Sequence, residues 1–190
     1  MQVAKREAGR QARDEPTGPV APDPLGGLAR EHAALLESSR VVAGLITHGP
    51  LTDAHVAEVE ERMRHLRFLL PRHLVIEERS LYPEVERSDP SSGPSLEAVV
   101  GQHRAVEGAL ARLQAECLAL SVDPGSLGKR RRAGRAAKEF HALLEELLAA
   151  QEAGPLALAA RLLEPASLDR LAQAMEAAAF HDLMKASHHR

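Results

Sequence analysis

Aromatic residues are scarce in this chain. It has no tryptophan, one tyrosine and three phenylalanines among 190 residues. Aromatic side chains are among those that β-strands prefer, whereas Ala, Leu, Glu and Arg, which are abundant here, favour helices. The composition therefore predicts an all-α fold.

Long apolar runs, a strong excess of one charge and cysteine pairs are also missing. No stretch approaches the roughly 18 apolar residues of a membrane span, and the basic start MQVAKREAGRQAR is not followed by an apolar run. The formal net charge of −3 gives no general field that would attract nucleic acid or an anionic membrane. Cys117 is the single cysteine, which excludes an internal disulfide, fits a reducing compartment and predicts a buried helix residue. We therefore expect a cytoplasmic protein that binds neither nucleic acid nor membranes.

The length is that of one domain with a tail. Residues 1 to about 23 are polar, charged and proline-rich (EPTGPVAPDP), and their few apolar positions cannot offset the entropy lost on ordering. We expect them to form a flexible tail, and residues 24–190 to form one helical domain. The basic run KRRR at residues 129–132 has no interleaved aromatics, so a solvated loop is expected there.

Apolar residues recur at three- and four-residue spacing in four long segments, which predicts four helices with buried faces. Helix A is expected over about 24–47, helix B from about 52, and helix C over about 95–120. Helix D should carry Gln151 on its inward stripe and end near 153, because Gly154 and Pro155 follow. A further amphipathic helix near residues 167–185 is expected to pack on this bundle.

Histidines and acids occupy inward stripes where Leu or Ala is the ordinary residue. His32 lies on the stripe of helix A, and His73 with Glu77 lies on that of helix B. Residues four apart lie one turn above each other on a helix, so the last two side chains can converge on one ion. Unpartnered burial of such groups costs several kcal/mol, and a metal ion offsets that cost by accepting their lone pairs.

Helix C repeats the spacing with His103 and Glu107. Taken alone, this pair is equally well explained as an ordinary hydrogen-bonded core or surface pair. His141 borders an inward stripe and stays ambiguous. The remaining histidines lie off the stripes or in tails and are assigned to solvent: His48, His55, His65, His181, His188 and His189.

Three segments of the chain resemble the hemerythrin-like (HHE cation-binding) family. They are LAREHAALLE, RHLVIEERSLYPEVE and VVGQHRAVEGALARL, of which the second, with HLxxEE followed by LYP, is the most specific. The resemblance covers about residues 25–158 and implies an antiparallel up-down-up-down four-helix bundle around a non-heme di-iron centre. By that likeness His32 and His73 would serve one iron, Glu77 would bridge, and His103 would serve the other.

Helix D departs from the family pattern, which has a histidine followed four or five residues later by an acid. Leu147 stands in the histidine place, and the closest retained acid is Glu152. Helix C has Glu107 where some members have a second histidine. The second iron is therefore expected to be held more loosely, beside an apolar space at Leu147. The expected metal ligands are His32, His73, Glu77, His103, Glu107 and Glu152.

Three functions are compatible with these residues. The first, which the resemblance favours, is a non-heme iron protein that binds O₂ or another small diatomic. The second is a di-iron oxidase or oxygenase acting on a small-molecule substrate, since a site richer in carboxylates is harder and more open. The third is a degenerate bundle without a di-iron centre that acts as an interaction module.

Overall fold

A computed structural model describes residues 23–48 and 51–187, with side chains described through residue 177. Every regular element in these ranges is helical. The elements are α1 (Pro24–Thr47), α2 (Asp53–Ile76), a π-helical turn (Glu77–Leu81), α3 (Tyr82–Ser88), a 3₁₀ turn (Pro90–Ser92), α4 (Gly93–Val122), α5 (Leu127–Gln151), a second π-helical turn (Glu152–Leu156), α6 (Ala157–Leu162) and α7 (Pro165–Ser187). The all-helical prediction is confirmed. The expected N-terminal tail falls almost wholly on residues 1–22, outside the described part.

Side-chain caps fix where the long helices begin. Asp23 accepts a hydrogen bond from the backbone N–H of Gly26, and Pro24 takes the first position of α1, where no donor is needed. The hydroxyl of Thr52 likewise accepts from the N–H of His55 at the start of α2. These caps fix the first residue of each helix, and the apolar stripe determines the face that it turns inward.

The core lies between α1, α2, α4 and α5. Helix α1 packs against α2 and α5, α4 packs extensively against α5, and α2 meets α4 more sparsely. Phe140 is the largest fully buried side chain in the described part of the chain, and buried leucines and valines from all four helices belong to the same core. Gly134 lets α5 approach the end of α1 closely, since a Cβ there would lie 3.1 Å from Cγ2 of Thr47. The bundle is thus held mainly by aliphatic packing.

The chain stays helical through Gly154 and Pro155, so the expected interruption of helix D is wrong. A proline ring in a regular α-helix collides with the carbonyl four residues earlier, here that of Gln151. The π-helical turn over Glu152–Leu156 widens the helix at this point and accommodates Pro155. Helix α5 is therefore continued by α6 to Leu162.

The C-terminal helix packs on the rest of the bundle. Helix α7 contacts α1 and α2, and Leu171 and Ala172 are buried. Arg170 donates two hydrogen bonds to the carboxylate of Glu84 on α3, at 3.2 and 2.9 Å. The fifth helix expected from the sequence is confirmed. None of the helices in the described part is both long and apolar enough to cross a membrane.

Candidate metal centre

Three histidines from three different helices meet inside the bundle. His32 comes from α1, His73 from the last turn of α2, and His103 from α4. Their side chains and that of Glu77 are at most 1% exposed. Polar groups buried to this degree require hydrogen-bond or ionic partners. We call these four residues, His32, His73, Glu77 and His103, the cluster.

His32, His73 and Glu77 form the first half of the cluster. The Nε2 atoms of the two histidines are 3.0 Å apart, and Oε1 of Glu77 lies 3.9 Å from the first and 3.5 Å from the second. That oxygen is buried and has no hydrogen-bond partner in the described part of the chain. Ligand atoms placed about 2.1 Å from one ion are about 3 to 4 Å apart, so these spacings suit a single metal ion.

A carboxylate lies behind each of the three rings. Nδ1 of His73 lies 2.9 Å from Glu31, Nδ1 of His103 lies 2.8 Å from Glu78, and Nδ1 of His32 lies 3.2 Å from Glu152. A ring that donates its Nδ1 proton to a carboxylate turns the lone pair of Nε2 inward. The lone pairs of His32 and His73 therefore face each other, and a cation, whether a proton or a metal ion, is required between them.

The same contacts set the charge of the first half. Burial opposes charge on His73, but the hydrogen bond to Glu31 and the negative charges of Glu31 and Glu77 outweigh it and raise the pKa of His73 to about 9. Burial also disfavours charge on Glu77, yet its contacts with the imidazoles of His32 and His73 and the positive charge of His73 lower its pKa to about 2. In the absence of metal, the imidazolium of His73 and the carboxylate of Glu77 form a buried ion pair.

The second half of the cluster surrounds the other oxygen of Glu77. Oε2 lies 3.5 Å from Nε2 of His103 and accepts hydrogen bonds from the hydroxyl of Tyr82, at 3.2 Å, and from the amide of Gln151. The same amide nitrogen is 2.9 Å from Nε2 of His103. Glu77 thus separates two different environments, with one of its oxygens in each.

The two π-helical turns position this half. In a π-helix a residue aligns with the fifth residue after it, and the backbone N–H of Tyr82 donates to the carbonyl of Glu77. This alignment brings the Tyr82 hydroxyl onto the Glu77 carboxylate. Gln151 immediately precedes the second π-helical turn. Burial and the charge of Glu77 both raise the pKa of Tyr82, so the phenol stays protonated.

The structure brings together four of the six residues expected as ligands: His32, His73, Glu77 and His103. It does not bring the other two into the cluster. Glu152 is largely exposed and lies on the outer nitrogen of His32. Glu107 is bound to Arg104, which also donates to Glu78, so Glu107 contributes to the chain of contacts behind His103.

Sequence reasoning missed the roles of Gln151 and Tyr82. Gln151 lies on the expected inward stripe of helix D but was assigned no role there, and Tyr82 belongs to the LYP motif that made the second segment distinctive. Leu147 is fully buried with the core leucines. The side chain that reaches the second half from α5 is that of Gln151, one turn further along.

Two more histidines bond to serines on α1. Nδ1 of His65 lies 3.0 Å from the hydroxyl of Ser38, and Nδ1 of His141 lies 2.7 Å from that of Ser39. His65 and His55 are half-buried and not fully exposed to solvent as expected, whereas His48 is exposed. His188 and His189, and the side chain of His181, lie outside the described part.

A cavity of about 290 Å³ lies between the first half of α2 and the second half of α4. It is lined by Val59, Met63 and Cys117 among others, and it shares no residue with the cluster. Burial, assisted by the charge of Glu116, raises the pKa of Cys117 to about 12. The thiol therefore stays protonated and unreactive at neutral pH.

The chain matches a known protein family. A family model described as Hemerythrin HHE cation binding domain matches residues 23–153, well over half of the chain. These residues contain all the cluster side chains. No curated protein sequence matches the chain.

Proposed function

The chain belongs to the hemerythrin HHE cation-binding domain family, and from this premise we propose that its buried cluster binds non-heme iron. The proposed ligands are His32, His73 and Glu77, with His103 beside the second oxygen of Glu77. The observation that supports this is the convergence of two inward Nε2 atoms and an unpartnered carboxylate oxygen in a fully buried space. Imidazole and carboxylate together are suitable ligands for ferrous iron.

We propose further that the iron site takes O₂ or another small diatomic molecule. Bound iron supplies open coordination positions there, because three protein ligands leave the preferred coordination of iron incomplete. The cluster side chains are at most 1% exposed. Helices packed this closely admit a diatomic more readily than a larger molecule.

The two alternatives have less support. An oxidase or oxygenase needs space for its substrate beside the metal, and the cavity described above shares no residue with the cluster. A degenerate bundle that binds no metal has no need for three buried imidazoles, each held by a carboxylate.

We also infer the arrangement of the domain. The packing of α1 on α2 and α5, and of α4 on α5 and α2, supports four helices in an up-down-up-down ring. Short connections, residues 48–52 and 123–126, favour antiparallel neighbours. Because α7 packs on α1 and α2, we infer that residues 24–190 form one domain.

Anaerobic reconstitution tests the function. The purified chain is loaded with ferrous iron and desalted, its iron is quantified, and its optical spectrum is recorded before and after exposure to nitric oxide and, separately, to air. We expect retained iron and a new absorption band with nitric oxide. Failure to retain iron contradicts metal binding, whereas retained iron with an unchanged spectrum contradicts the diatomic ligand alone.

A further inference from the structure

We infer that this chain binds one metal ion, in the half of the cluster formed by His32, His73 and Oε1 of Glu77. Gln151 prevents a second ion from binding in the other half, because its amide occupies the atoms that would be the ligands. The inference rests on the proposed function, since it concerns how many ions the same cluster accepts. It differs from the family resemblance, which implies a di-iron centre. The two oxygens of Glu77 differ in their surroundings: Oε1 has no hydrogen-bond partner in the described part of the chain, whereas Oε2 accepts hydrogen bonds.

In the second half, proton donors already occupy the lone pairs that a metal ion needs. The amide of Gln151 has two N–H donors, and its nitrogen lies against both Oε2 of Glu77 and Nε2 of His103. Since Nδ1 of His103 donates to Glu78, its Nε2 is an acceptor and receives one of these N–H groups. The hydroxyl of Tyr82 donates a second hydrogen bond to the Glu77 oxygen.

The first half has no amide or hydroxyl donor, and the one proton that it holds in the metal-free protein, between the Nε2 atoms of His32 and His73, leaves when a metal ion binds. Oε1 of Glu77 is unpartnered within the described part of the chain, and the Nε2 atoms of His32 and His73 face each other. An ion placed there would meet three free acceptors. An ion in the second half would first have to displace the amide of Gln151 and reorient the hydroxyl of Tyr82.

The orientation of the amide is also determined by its neighbours. Turning Gln151 over would place its carbonyl oxygen against two acceptors, Oε2 of Glu77 and Nε2 of His103. The observed orientation leaves Oε1 of Gln151 buried without a partner in the described structure. The unpartnered oxygen of the observed orientation costs about 1 to 3 kcal/mol. The reversed orientation would lose both hydrogen bonds of the amide, including the one to the charged carboxylate of Glu77.

The charge of the cluster also favours a single metal ion. Glu77 is the one carboxylate among the buried side chains of the cluster, and Gln151 adds none. A single divalent ion beside Glu77 leaves a small net charge, while a second ion would add two more positive charges, and the other carboxylates, Glu31, Glu78 and Glu152, lie behind the rings and not beside the ions. A glutamate at position 151 would supply both the missing charge and the missing acceptor.

The test is metal stoichiometry in wild type and Gln151→Glu. Each protein is titrated anaerobically with ferrous iron, and bound iron per chain is measured after desalting. After oxidation, electron paramagnetic resonance distinguishes an isolated ferric ion, which gives a high-spin signal, from a coupled pair, which gives none at low temperature. We expect one iron with a full signal in wild type, and close to two irons with a largely lost signal in the variant.

Gln114→Glu is the matched control, because it makes the same chemical change on α4 beside the distant cavity and should leave one iron. Gln151→Asp serves as a second variant if Gln151→Glu does not fold. Two irons in wild type would overturn the inference and leave iron binding intact, as would one iron in a folded carboxylate variant. A wild-type chain that retains no iron would instead overturn the proposed function.

Discussion

Oε2 of Glu31 on α1 lies 2.9 Å from Nδ1 of His73 on α2. The same carboxylate is bonded to Arg72, the residue just before His73. Burial disfavours charge on Glu31, but the hydrogen bond to His73 and the charge of Arg72 keep its pKa below the usual value. Glu31 thus orients the imidazole ring of His73 through Nδ1, while the opposite nitrogen, Nε2, is the proposed metal ligand.

Glu31→Gln should weaken metal binding about 10- to 100-fold, the usual effect of losing such an outer partner. The amide can still contact the ring, but it no longer favours a protonated Nδ1. Isothermal titration of the metal-free protein with Co²⁺ measures the change. Glu37→Gln on the same helix is the control, because Glu37 contacts Arg40 on the surface. Equal affinities for the two variants would contradict the role given to Glu31.

His73→Ala should abolish iron retention, since it removes one of three proposed ligands from the first half. His65→Ala removes an imidazole from the same helix, where it bonds to Ser38, and should retain the wild-type iron content. Iron is quantified after reconstitution and desalting, with circular dichroism to verify folding. Full iron content in folded His73→Ala would show that the ligand assignment is wrong.

Glu107→Ala should leave iron content unchanged. Its carboxylate bonds to Arg104, 3.0 Å away, and is separated from His103 by Arg104 and Glu78. Glu78→Gln, in contrast, removes the direct partner of His103 and should change the environment of the second half. If a folded Glu107→Ala variant lost iron, Glu107 would be a metal ligand and this prediction would be wrong.

Phe140→Ala should destabilise the metal-free protein by about 3 to 5 kcal/mol, because it leaves a large void in a close-packed core. The side chain is fully buried. Leu118→Ala is the control: Leu118 is 70% exposed, so its loss should change stability by no more than about 0.5 kcal/mol. Urea denaturation measures both, and similar midpoints would contradict the assigned core.

Glu84→Gln should loosen the attachment of α7 in a pH-dependent way. Hydrogen bonds from Arg170 and then Arg87 lower the pKa of Glu84 to about 2, from an ordinary value of 4.5. A pKa lowered by folding stabilises the protein above pH 4.5, and this contribution is lost as the pH falls towards 2. Both arginines are more than half exposed, so the effect should be about 1 kcal/mol or less.

Thermal unfolding of wild type and Glu84→Gln at several pH values measures this difference. The wild type should melt a few degrees higher at pH 7, and the two curves should converge near pH 2 to 3. Glu37→Gln, at an exposed pair on α1, should differ little from wild type throughout. A difference between wild type and Glu84→Gln that is unchanged at acid pH would mean that the charge of Glu84 is not what holds α7.

The helices and their inward faces could be predicted from the sequence, because both depend on local periodicity. The spacing of His32, His73 and His103 within apolar stripes was enough to indicate a buried polar cluster. The family resemblance, which the family match confirms, supplied iron as the expected metal. The helix boundaries agreed closely at the caps of Asp23 and Thr52, but the loop expected at residues 129–132 is wrong, because α5 begins at Leu127 behind the cap of Ser126.

What only the tertiary structure decided is how the buried groups are partnered. Gln151 and Glu152 are adjacent, and neighbouring residues differ by about 100° around a helix axis. One is therefore buried against Glu77 while the other reaches the outer nitrogen of His32. The sequence favoured the acid as a ligand, but the packing of α5 against α1 and α4, together with the π-helical turn that follows Gln151, places the amide of Gln151 at Glu77. Periodicity determines which residues face inward, whereas the atoms that meet there depend on helices far apart in the chain.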